Sequence, residues 1–156
     1  MNDELKKLKK EYSLLEEKYK IPGFREINED FEIDKIDKES DCLLRVIRKI
    51  MMEKIVNSMG FVEMLLNPVN APRIYMAYLR SLTVQDKQLL EKIYGSLADL
   101  SLASLELEVE YSEKREAELI KLIHNTWNRI RSDFKVVLSD IKKPNSVVKK
   151  DKSYFG

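Results

Sequence analysis

Ile120, Ile123, Trp127, Ile130, Phe134, Val137 and Ile141 recur at alternating steps of three and four residues, a register that an α-helix places on one side. A rod with so long an apolar stripe must dock along its whole length on other elements. The same spacing appears upstream. Leu5, Leu8, Tyr12, Leu15 and Tyr19 form a short seam among Lys and Glu, and Leu90, Ile93, Leu97, Leu100, Ser104 and Leu107 form a longer one. Thr83, followed by Asp86, puts a hydroxyl and a carboxylate where they can bond the unpaired amides at the start of that longer helix. From about Ser40 to Leu66 the chain is apolar on more than one side, which predicts a central, heavily buried helix. Its polar stripe reads Asp41, Arg45, Arg48, Lys49, Glu53 and Asn57, with Gly60 as a point of bending. Asn67-Pro68-Val69-Asn70-Ala71-Pro72 ends it, and Ile74, Tyr75, Tyr78, Leu79 and Leu82 supply one face of a short following helix.

Other stretches are less regular. Ile21-Pro22-Gly23 breaks the first seam, and Phe24 to Ile36 reads as mostly irregular, with a short helix followed by extended chain through Phe31-Glu32-Ile33-Asp34. Leu105 to Tyr111 alternates apolar and polar residues as a half-wet strand would. Helix is the better reading there, because only the short Phe31 segment alternates in a way that could pair with it. Ser112 then either caps another helix or lies inside a continuous one.

These seams predict an all-α fold: a single-domain helical bundle of about four to six helices over residues 1–143, with an N-terminal seam helix at 1–20. Residues 144–156 read as a flexible basic tail. The 156 residues hold only four Gly and four Pro, too few turn formers for a sandwich or barrel. Lys and Arg total 28 against 27 Asp and Glu, so no net field draws the molecule to nucleic acid or to an anionic membrane; any such binding needs a local cluster. Cys42 is the only cysteine, which excludes an internal disulfide and fits a reducing cytoplasm. The first residues lack an apolar signal core and no charge-free stretch reaches spanning length, so a cytoplasmic protein with no membrane partner is expected.

Few residues suggest chemistry. Glu106, Glu108, Glu110, Glu113, Glu116 and Glu118 form an acidic run, in which Glu110 and Glu113 stand one turn apart as a possible magnesium pair. Lys114 and Arg115 in the same run favour a solvated, self-compensated face instead. The single histidine, His124, has no nucleophile beside it in sequence and reads as a half-buried group bonding a polar neighbour, and Cys42 reads as a small core residue. No catalytic residue, metal site or cofactor is therefore expected.

The leading reading is a non-catalytic interaction or scaffold protein, with Tyr12 and Tyr19 on the first helix and Tyr154 and Phe155 on the tail as contact positions. Its partner would be another protein or a second copy docked through the Leu5 to Tyr19 stripe. The alternative is a nucleic-acid-binding accessory protein. Lys121, His124, Asn128, Arg131, Lys135 and Lys142 share one side of the last helix, and Lys149 and Lys150 extend the positive charge into the tail. A metal-dependent enzyme using the acidic run is the third.

Overall fold

A computed structural model describes residues 3–36 and 41–143. Its helices are α1 (Asp3–Tyr19), α2 (Phe24–Phe31), α3 (Leu43–Leu66), α4 (Arg73–Ser81), α5 (Val84–Val109) and α6 (Glu113–Ile141), with short 3-10 turns at Ile33–Lys35 and Pro68–Asn70. The described residues form an all-helical bundle.

The long helices α3, α5 and α6 pack on one another to make the core, and the shorter ones cover it. From α3 come Leu44, Ile47, Met51 and Ile55, from α5 Leu90, Ile93, Leu97 and Leu100, and from α6 Ile120, Ile123, Ile130 and Val137, all buried. Burial of such side chains contributes roughly 1.5–3 kcal/mol each before the opposing entropy, which makes these seams the main source of stability. Gly60 does not divide α3, which runs unbroken through it.

The helix ends follow local chemistry. At the start of α5, Thr83 Oγ1 accepts from the Asp86 amide at 3.1 Å, and the Asp86 carboxylate accepts from the Thr83 amide at 2.9 Å. Ser112 caps α6 by accepting from the Arg115 amide at 3.4 Å, and Glu113 and Glu116 fall in its first turn, where negative charge is favourable. The alternating segment is therefore helical as far as Val109. Only Glu110, Tyr111 and Ser112 separate α5 from α6, a link short enough to make the two antiparallel neighbours.

The Phe24–Ile36 region is more ordered than its sequence suggests. Phe24, Ile27 and Phe31 stand at one helical stripe, and Ile27 and Phe31 are buried, so packing draws out a full helix, α2. It stops at Glu32, whose left-handed backbone (φ 53°) lets its amide bond the Asn28 carbonyl at 3.0 Å. Lys20 ends α1 the same way, with φ 56° and an amide bond of 2.9 Å to the Glu16 carbonyl. Extended chain does not follow α2: Ile33, fully buried, enters the core through a 3-10 turn.

The first seam is used within the chain. Leu8 and Tyr12 are buried, Tyr12 packs edge-on against Phe24 at 5.4 Å between ring centroids, and its hydroxyl donates to the Pro22 carbonyl. Tyr12 is thus a core residue of the chain itself, whereas Leu5, Leu15 and Tyr19 of the same stripe are only partly buried against the bundle. No helix among the described residues is long and apolar enough to cross a membrane.

Candidate functional site

Arg48 of α3, Ser104 of α5 and Glu116 of α6 are buried polar side chains among apolar neighbours, and these three meet. Arg48 of α3, 1% exposed, directs Nε to Glu116 Oε2 of α6 at 2.6 Å and Nη2 to Glu116 Oε1 at 3.1 Å. Its Nη1 donates to Ser104 Oγ of α5 at 2.7 Å, and Nη2 also reaches Glu108 Oε1 at 2.7 Å. Burial works against the guanidinium charge, but the bonds to Glu116 and Glu108 outweigh it and push the pKa up. The same bond holds the Glu108 carboxyl below its usual range. Arg48 is thus not part of a wet stripe, nor is the acidic run uniformly solvated, because Glu116 is fully buried. All three guanidinium nitrogens are committed to side chains of α5 and α6. This cluster fixes how three helices meet and commits four of the five guanidinium N–H donors to neighbouring side chains.

Beside it, the Arg45 guanidinium lies over the Tyr111 ring, 4.5 Å from its centroid, with Nε 3.7 Å from Glu116 Oε1. Tyr111 is hydrogen-bonded to Cys42, and that bond, with burial, pushes the phenol up to about 12. A cleft of about 240 Å³ opens here between Glu11, Leu14, Leu15, Cys42 and Tyr111. Among the described residues no group of three or more His, Cys, Asp and Glu side chains is placed to hold a metal ion.

The basic side of α6 is divided. Arg131 is ion-paired with Asp30, and His124 Nε2 stands 3.1 Å from Asn128 Nδ2 and 3.9 Å from Glu26 Oε2, so acids of α2 meet the middle of the stripe. Lys54 reinforces that contact: its ammonium sits 4.6 Å from the Trp127 centroid and donates to the Asp30 carbonyl at 2.6 Å. Burial, with the nearby Arg131 charge, pulls its pKa down against the opposing pull of Asp30. Lys135 and Lys142 are exposed and Lys121 half-buried, one on each side of the neutralised middle for Lys121 and Lys135. Tyr19 is half-buried and donates to Glu113, which also takes Lys18 Nζ at 3.0 Å, tying α1 to the start of α6. Lys149, Lys150, Tyr154 and Phe155 lie outside the described residues.

The surface feature that stands apart is apolar. On α5, Leu102 is 60% exposed, Leu105 60% and Val109 84%. Scattered exposed aliphatics are ordinary; three in helical register on one face are not. They line a groove of about 350 Å³ together with Glu106, Glu110 and Arg115. Arg115 Nη2, 3.1 Å from Glu106 Oε2, divides this groove from a smaller cleft of about 160 Å³ between Ala103, Leu107, Leu119 and the half-exposed Leu122. In the sequence this face is masked by the strand-like alternation of Leu105 to Tyr111. The signal was present, because Gly95, Ala98, Leu102, Leu105 and Val109 repeat the three-four register on the side of α5 opposite its core seam.

No family model matches the chain, and neither a curated protein nor a solved structure is similar to it.

Proposed function

We propose that this chain is a non-catalytic interaction protein that receives a protein partner on the outer face of α5. The observation that carries the reading is the exposed row of Leu102, Leu105 and Val109, which the bundle does not use. Full burial of such a side chain contributes roughly 1.5–3 kcal/mol, and the part of it forgone at these half- to mostly exposed positions is a gain open to a docked partner. The polar groups fit the same reading, since Arg48, Glu108 and Glu116 bond one another across the core. The basic stripe of α6 supports nucleic-acid binding less well, as Arg131 already pairs with Asp30.

Photo-crosslinking tests the proposal. A photoreactive side chain at position 105 is expected to capture a distinct protein in cells that make this chain, whereas the same group at Lys87 captures none. Equal capture from both positions, or none from 105, contradicts it.

A further inference from the structure

The outer row of α5 has the spacing of a coiled-coil seam, with Gly95, Leu102 and Val109 at a and Ala98 and Leu105 at d. The flanking e and g positions between its ends are then Asp99, Ser101, Glu106 and Glu108, three acids and no base. Glu106 is partly answered by Arg115, and Glu108 by Arg48 and Lys49, but no basic side chain occupies the flanks themselves. Charges at these positions decide which helix a seam accepts. A second copy would set Asp99 and Glu106 against each other when antiparallel, and when parallel would set Glu106 against Ser101 and Asp99 against Tyr94, with no ion pair gained in either direction.

Gly95 adds an independent observation. A Cβ placed there would meet nothing within 4 Å, so no contact inside the chain calls for glycine. In a helix interior glycine nevertheless destabilises the helix relative to alanine. With Ala98 one turn on, it makes the N-terminal end of the seam thin, so a neighbouring backbone can approach closely there before meeting the leucines.

From these features, and resting on the docking face proposed above, we infer that the occupant is an amphipathic helix of another protein that carries lysine or arginine beside its apolar seam and crosses α5 closest at Gly95. The seam supplies the apolar area, the acids select a basic partner, and the glycine sets where the two helices touch.

The test is selection of a displayed library of helical peptides on the intact chain. Each peptide carries leucine at every a and d position and a free choice of lysine, glutamate or glutamine at every e and g. Recovered peptides are expected to favour lysine over glutamate, to be lost on Leu102→Gln with Leu105→Gln, and to bind about tenfold more weakly to Gly95→Ala. That last variant also unfolds at higher temperature than wild type, which separates lost affinity from damage to the fold. Preference for glutamate, or none, overturns the basic partner while leaving the docking face standing. Recovery of no peptide, or of peptides indifferent to Leu102 and Leu105, overturns both. Self-association of the unliganded chain that Leu102→Gln and Leu105→Gln abolish makes a second copy the occupant and overturns the inference.

Discussion

Arg48 and Glu116 meet side-on in the interior, Nε 2.6 Å from Oε2 and Nη2 3.1 Å from Oε1, so a fully buried carboxylate of α6 is clasped by a guanidinium from α3. Removing either partner strands the other charge away from water. Arg48→Met alone, or Glu116→Leu alone, is expected to cost about 3–5 kcal/mol in urea denaturation, and the double variant distinctly less than the sum. Additive losses would mean that the pair does not act as a unit.

Acid sensitivity follows from two carboxylates at the ends of long helices. Glu108 is held low by its bond from Arg48, and Glu113 by its bonds from Tyr19 and then Lys18. A carboxyl whose folded pKa lies below its unfolded value of 4.5 stabilises the protein above that pH, and the contribution is lost as pH falls through the folded pKa. Stability is therefore expected to be flat in these groups near neutrality and to decline below about pH 4.5. Glu113→Gln should make that decline shallower, read as chemical denaturation midpoints across the acid range. An unchanged slope in the variant would show that its carboxylate gains nothing on folding.

The capping box at the head of α5 is separable from the core. Thr83→Ala removes the acceptor for the Asp86 amide and is expected to cost about 0.5–2 kcal/mol without altering the helix content of the folded state. Thermal unfolding followed by circular dichroism measures both, and no loss of stability would show that water replaces the hydroxyl at no cost.

Lys20 ends α1 in the left-handed region at φ 56°. Glycine adopts this conformation without a Cβ penalty, so Lys20→Gly is expected to raise stability by roughly 0.5–1 kcal/mol, provided the helix end keeps its geometry. Destabilisation in urea titration would indicate that the lysine side chain supports the turn in a way the backbone does not reveal.

Much of the architecture could be read from spacing. The seams from Leu90 to Leu107 and from Ile120 to Val137 predict α5 and α6 because each buried residue recurs on one side, and Thr83 with Asp86 marks a helix start by chemistry that acts within four residues. What sequence did not reveal depended on contacts distant along the chain. Arg48 looks solvated in its own helix, but it follows Leu44 by one turn on the buried side and finds Glu116 sixty-eight residues later. Three polar breaks in three seams, at Arg48, Ser104 and Glu116, were a visible hint that needed the helix pairing to interpret. Tyr12 was misleading in the opposite sense, since an aromatic on a short charged helix resembles a contact residue until Phe24 and Pro22 close over it. The outer row of α5 is obscured in the sequence because its last members alternate with glutamates, a pattern that fits a half-wet strand as well as an uncovered helix face.

The central claim is that α5 bears two seams and folding consumes only one. Equilibrium unfolding of Leu102→Gln with Leu105→Gln, compared with Leu100→Gln, measures this most directly. The outer pair is expected to leave stability within about 0.5 kcal/mol of wild type per site, as at an exposed position, while Leu100→Gln, on the buried side, costs several kcal/mol. A loss of comparable size from the outer pair would place Leu102 and Leu105 in the core and contradict the account.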